Sequence, residues 1–161
     1  MTSLPLIAPE TPADHDAVEA LITAAFGPGR FVKTAERLRE GNHPLLDLSA
    51  VARQDGRVVG CSRLWPIHVG GRPAILLGPF AVDATSRSAG LGAAMIAWCC
   101  DRAAEAGHDL ILLVGDAPYF DKLGFVSAGD CQLPGPVNRR RVLVKALKPG
   151  AADGLAGEVT L

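Results

Sequence analysis

The sequence predicts a single α/β domain (an α+β mixed sheet): a central, mostly antiparallel sheet with one parallel strand pair and helices on both faces. Three observations carry this. Strand-like runs joined by glycine turns form a meander over residues 48–82. A helical apolar stripe at Gly90–Gly107 then leads into the aliphatic run Asp109–Val114, a strand–helix–strand crossover that makes its flanking strands parallel. The chain has 161 residues, 48% of them hydrophobic and 20% charged, which suits one domain with one sizeable core.

The elements follow in order. Leu6-Ile7 reads as a short first strand. Thr11-Pro12-Ala13-Asp14 starts a helix with proline in its first turn. Val18, Leu21, Ile22, Ala25 and Phe26 continue it at helical spacing, and Gly27-Pro28-Gly29 stops it. A second helix is expected over Phe31–Glu40, ending at Gly41-Asn42. Leu48–Arg53 and Val58–Val69 read as strands joined at Asp55-Gly56, a hairpin signal. Gly70-Gly71 turns the chain into a third strand, Pro73–Val82.

The Gly90–Gly107 helix carries Leu91, Ala94, Met95, Trp98 and Cys99 on one stripe and would be about 27 Å long. Asp109–Val114 suits a strand buried on both faces. Pro118–Leu123 reads as a short helix, and Phe125–Leu133 with Arg140–Leu147 as a final antiparallel pair. The single domain spans 1–161, with its core at about 4–148 and a small tail after Pro149-Gly150.

Composition narrows the function classes. A net charge of −1 points to neither nucleic acid nor a membrane surface as the main partner. The most apolar runs, near Ala74–Val82 and Leu110–Val114, are too short to span a bilayer. The N-terminal residues lack a signal-peptide pattern, so a cytoplasmic location is expected. Cys61, Cys99, Cys100 and Cys131 form no Cys-x-x-Cys, and with the four scattered histidines they give no metal-ligand spacing; buried, reduced thiols are expected and no metal.

The chemistry concentrates around one turn. The strand Leu77-Gly78-Pro79-Phe80-Ala81-Val82-Asp83 leads into Arg87-Ser88-Ala89-Gly90-Leu91-Gly92 and then a helix. Helix N-termini hold unpaired N–H groups and about half a positive charge, and glycines let backbone approach a bulky anion, so the turn suits a pyrophosphate. Arg87 adds a charge-assisted contact. By itself a Gly-x-Gly opening a helix is also a plain tight turn. The dinucleotide fingerprint lacks its third glycine, because Ala93-Ala94-Met95 follows Gly92, and no Gly-Lys-Ser/Thr occurs. Pro79 cannot donate to a ladder, so a bulge is expected at Gly78-Pro79. It would part this strand from Asp109–Val114 and leave backbone groups of Phe80, Ala81 and Val82 for an extended ligand arm.

These residues resemble motif A of the GNAT superfamily of N-acetyltransferases: Arg87-x-x-Gly90-x-Gly92 after a strand ending Ala81-Val82-Asp83. Pro118-Tyr119-Phe120-Asp121-Lys122-Leu123-Gly124-Phe125 is similar to the short helix ending in Gly-Phe of that superfamily. Leu77–Val82, Gly115–Tyr119 and Pro149-Gly150 look like features of the YhbS-like acetyltransferases. The resemblance covers nearly the whole chain and is strongest over Leu76–Phe125. It implies a GNAT acyl-CoA N-acyltransferase fold and an enzyme that moves the acetyl group of acetyl-CoA to a primary amine by direct attack. Phe80, Ala81 and Val82 would pair with the pantetheine arm, and Arg87, Ser88, Ala89, Gly90, Leu91, Gly92 and Ala93 would wrap the pyrophosphate. A backbone N–H on the bulged strand would polarise the thioester carbonyl.

One position departs from the pattern. The usual general acid is a tyrosine four residues before the glycine of Gly-Phe; here that residue is Phe120, and Tyr119 precedes it. Tyr119 or water would protonate the leaving thiolate. Asp116, Asp83 and His68 are candidate bases, with helix capping the alternative role for Asp116. The alternative overall is a non-catalytic acyl-CoA-binding or sensing module. The basic cluster Asn138-Arg139-Arg140-Arg141 is either a solvated hairpin turn or a reader of an anionic substrate. A small-molecule amine is expected rather than a protein acceptor. Oligomeric state stays open, with a homodimer common among similar proteins.

Overall fold

A computed structural model describes residues 5–161; the side chains of Arg87, Ser88 and Ala89 lie outside the described set. Nine strands form a mixed sheet: β1 (Leu6–Pro9), β2 (Ala50–Gln54), β3 (Arg57–Val69), β4 (Arg72–Val82), β5 (Leu110–Val114), β6 (Val126–Ser127), β7 (Cys131–Gln132), β8 (Val142–Ala146) and β9 (Gly157–Thr160). The main path runs β1-β2-β3-β4-β5-β8-β6. Along it only β4 and β5 are parallel, joined by the crossover helix α2 (Leu91–Glu105). A second, two-residue parallel contact, β7 with β9, lies off this path.

Side-chain alternation sorts the core onto two faces. On one, Met95, Ile96 and Cys99 of α2 pack against Ala52, Leu64, Ile75, Leu77 and Ile111. On the other, Val18 and Ile22 of α1 (His15–Phe26) pack against Val51, Cys61 and Ala81. Both α1 side chains are fully buried, each worth roughly 1.5–3 kcal/mol. The rest of that face is filled by Leu38, Trp65, Leu76, Leu112 and Val144. The four cysteines are buried free thiols, and burial pushes Cys61 and Cys99 up to about 12. Among the described residues, no helix is long and apolar enough to cross a membrane.

Several expectations are corrected. Phe31–Glu40 is not one helix but two 3-10 turns, Pro28–Val32 and Thr34–Leu38, broken at Lys33, whose backbone is extended (φ −68°, ψ 140°). Only Ala35 and Leu38 of this stretch are buried, while Phe31 and Val32 are exposed; so short a segment with so little apolar anchoring does not hold an α-helix. Leu48 ends a 3-10 turn, and the strand begins at Ala50. The expected Phe125–Leu133 strand is interrupted where the Cys131 N–H donates to the Ala128 carbonyl (3.0 Å). Val126 and Ser127 pair in register with β8, and the Ala128 N–H donates to the Val142 carbonyl (2.8 Å) before the strand ends. The C-terminal tail is in part a strand: β9 pairs with β3 at His68↔Thr160 and Val69↔Val159, burying Val159.

Candidate active site

The site is built where β4 leaves β5. The two strands pair at Ile75↔Ile111 and Leu76↔Leu112 and no further. Against β3, the register jumps from Leu64↔Leu77 to Ser62↔Phe80, which places an extra residue of β4 at Gly78-Pro79. Proline fits here because a bulge needs no ladder donor. The indole Nε1 of Trp65 donates to the Gly78 carbonyl, so the bulge is tied to the core. Past the bulge, Phe80 and Ala81 keep β3 as partner on one edge, while β5 has diverged from the other.

On one side of this gap stands the first turn of α2. Asp83 accepts from Thr85 N–H (3.1 Å) and orders the loop into the 3-10 turn Ala84–Ala89. Gly90 then caps α2 in the left-handed conformation (φ 70°, ψ 15°), which glycine adopts without penalty, and among the described residues nothing beyond its chain neighbours lies within 4 Å of where its Cβ would stand. Leu91 is core, and Gly92 and Ala93 are half-buried. A Cβ on Gly92 would meet the Phe80 ring at 2.9 Å and the Tyr119 hydroxyl at 3.0 Å. An open left-handed cap, a helix of 15 residues behind it and a glycine hemmed by two rings fit an anionic, extended coenzyme. The side chains of Arg87, Ser88 and Ala89, expected to wrap the same pyrophosphate, lie outside the described residues.

On the other side is a cavity of about 710 Å³, floored by Leu77, Phe80, Leu113 and Phe120 and reaching Asp116. Phe120 lines it from α3 (Ala117–Asp121) and sits edge-on to Phe80 (centroids 6.5 Å) and Phe125 (5.7 Å). Its ring would lie 2.5 Å from a Cβ on Gly115, so the position of the usual acid is filled by a packed aromatic. One residue earlier, Tyr119 is turned away, its hydroxyl toward Gly92 in the first turn of α2. Burial pushes its phenol above the ordinary value. Asp116 caps α3, accepting from Tyr119 N–H (3.3 Å), and also borders the cavity. His68 lies elsewhere, exposed on β3 between Pro73 and Thr160, and Asp83 is spent on its turn.

Among the described residues, four cations border the cavity: Arg30, Lys33, Arg39 and Arg141. Arg141 belongs to the basic cluster singled out in the sequence. Asn138 caps that cluster's turn, accepting from Arg140 N–H (3.0 Å). Lys33 and Arg39 fall inside the expected helix over 31–40, and Arg30 lies just before it. Charge is the only sequence signal they carry, and their direction is set by the extended break at Lys33.

The profile of the acetyltransferase (GNAT) family matches residues 15–125. A GNAT family N-acetyltransferase (YhbS) from Escherichia coli, solved in complex with CoA, is 29% identical with a TM-score of 0.82, over 97% of this chain and 88% of that one. A GNAT family acetyltransferase from Brucella melitensis, solved in complex with acetyl-CoA, is 25% identical with a TM-score of 0.75, over 98% and 96% of the two chains. No curated protein matches. With the family profile spanning more than half of the sequence, and the parted strands and glycine-opened helix in place, the chain belongs to the GNAT acetyltransferase family.

Proposed function

We propose that this protein transfers the acetyl group of acetyl-CoA to a primary amine by direct attack within a ternary complex. The observation that carries the reading is the divergence of β4 from β5 at Gly78-Pro79. It sets the helix cap at Gly90 on one side of a gap and the cavity on the other. Gly90, Leu91, Gly92 and Ala93 receive the pyrophosphate with N–H groups of the first helical turn. Phe80 and Ala81 pair with the pantetheine arm along the edge that β5 has left, continuing toward Val82 at the strand end. The coenzyme supplies an activated thioester. A backbone N–H of the bulged stretch stabilises the charge that grows on its carbonyl oxygen.

The amine enters from the cavity. Its N–C bond to the acetyl carbon forms as the C–S bond breaks, and its proton passes to Asp116 directly or through water. Tyr119, by rotating its ring from Gly92 toward the bulge, donates a hydrogen bond to the departing sulfur. Its raised pKa lies above the roughly 8.5 of a free thiol, so it steadies the thiolate more than it surrenders a proton. The test is calorimetric binding of acetyl-CoA and thiol release over a panel of amines. Micromolar binding with amine-dependent release is expected; no binding at high micromolar concentration sinks the reading. The packed Phe120 ring in place of the usual tyrosine favours one alternative, a non-catalytic acyl-CoA-binding module. That reading expects binding with no release above background hydrolysis.

A further inference from the structure

Resting on the acceptor side of that reading, we infer that the amine substrate also carries a carboxylate, held by Lys33, Arg39 and Arg141 at the cavity wall. The three cations come from separate segments: the extended break between the 3-10 turns, the residue after the second turn, and the end of the Arg139–Arg141 turn. All three border one cavity whose single lining carboxylate among the described residues is Asp116.

Arg30, also on the wall, is already matched by Glu19 at 2.5 Å. Arg39 is matched only in part. Its Nη1 meets Glu36 at 3.0 Å, its side chain is 11% exposed, and its buried Nε has no hydrogen-bond partner among the described residues. Its Nη2 stands 2.9 Å from where a Cβ on Gly78 would be, so the guanidinium reaches the bulge where acetyl transfer would occur. Lys33 lies over the Phe26 ring (4.5 Å). Among the described residues, no carboxylate lies within ion-pair distance of Lys33 or Arg141. Burial and the charges of Arg141 and Arg39 push the Lys33 ammonium below its ordinary value.

Like charges crowded along one wall repel one another, and a shared anion relieves the repulsion. The coenzyme's phosphates do not fill this role, because among the described residues of the first turn of α2, Gly90 to Ala93, none lines the cavity. Asp116, the one acid of the lining, suits the ammonium end of the same molecule. The acceptor is therefore zwitterionic, of the amino-acid or small-peptide kind. Polyamines and aminoglycosides meet a repelling wall.

The test compares glycine, L-leucine, L-phenylalanine and L-glutamate with their α-carboxamides, and with spermidine. Thiol release is followed with acetyl-CoA, and calorimetric binding with the protein saturated by CoA. At least about a 10-fold preference for carboxylate over carboxamide is expected for one or more pairs. In Lys33→Gln and Arg141→Gln the preference falls to near unity, with the affinity for acetyl-CoA unchanged. Both positions are exposed, so the variants keep the fold. A carboxylate preference in binding without turnover leaves the anion site standing and removes the transferase reading. Turnover with equal rates for acid and amide, preferred use of spermidine, or no carboxylate preference in either readout overturns the anion site.

Discussion

The Tyr119 hydroxyl stands 3.0 Å from the point that a Cβ on Gly92 would occupy. The last turn before the Gly-Phe motif is thereby in contact with the first turn of α2. The contact joins two parts of the site that are 27 residues apart, and it follows from the one-residue offset between Tyr119 and Phe120.

Gly92→Ala should weaken coenzyme binding. The added methyl meets the Phe80 ring and the Tyr119 hydroxyl inside ordinary van der Waals distance. Overpacking costs roughly 1–3 kcal/mol. Calorimetry should show acetyl-CoA bound about tenfold more weakly. An unchanged affinity would mean that the two rings yield freely and that the glycine is not needed there.

Tyr119→Phe should lower kcat by about 10-fold, the worth of one hydrogen bond to a charged group, with KM for acetyl-CoA little changed. Burial raises the Tyr119 phenol above its ordinary 10.0. The group stays protonated across neutral and mildly alkaline pH, and kcat should show no alkaline loss from it below about pH 10. Equal rates for wild type and variant would hand the role to water.

Arg63 should be the most costly single truncation outside the apolar core. Its side chain is 6% exposed on β3 and bonds both oxygens of Glu10 (3.2 and 3.0 Å), itself 2% exposed, and Glu19 (3.0 Å) on α1. Arg63→Ala strands a buried carboxylate, at roughly 3–5 kcal/mol. Urea unfolding should report that loss, and pairing it with Glu10→Leu should recover part of it. A loss under about 1 kcal/mol would show that water reaches Glu10.

Stability should fall on the acid side. Burial alone would raise Asp14, but hydrogen bonds from Arg53 and Thr11 hold its carboxyl below the ordinary range. Burial would likewise raise Glu19, and Arg30 and Arg63 hold it down. A depressed folded-state pKa contributes stability that is complete above the unfolded value and is lost as pH falls through the folded one. Thermal midpoints should therefore be level from about pH 7 to 5 in this respect and drop below about pH 4. Arg53→Gln should flatten part of the drop.

Local signals made most of the architecture legible. The Asp55-Gly56 and Gly70-Gly71 turns, the α2 stripe and the β5 aliphatic run stand where periodicity puts them. Pro79 announced the bulge because a missing N–H is a local fact. Phe31–Glu40 misled because its charges and leucine mimic a helix. What holds it is the docking of Leu38 onto Trp65 and the sheet, a contact from outside the segment. The strand β9 was invisible because two of its four residues are glycine and glutamate. Its pairing comes from the neighbouring edges of β3 and β7.

By itself the sequence determined the order of the elements, the glycine-opened helix and the displaced tyrosine, since each is a matter of residue type and spacing along one segment. Only the tertiary structure decided that Lys33, Arg39 and Arg141 share a wall, that Tyr119 faces Gly92 while Phe120 fills the usual position, and that the C-terminus completes the sheet. Those are meetings of residues far apart in the chain. Their geometry depends on where β4 leaves β5 and how the turns on either side pack, which no local periodicity encodes.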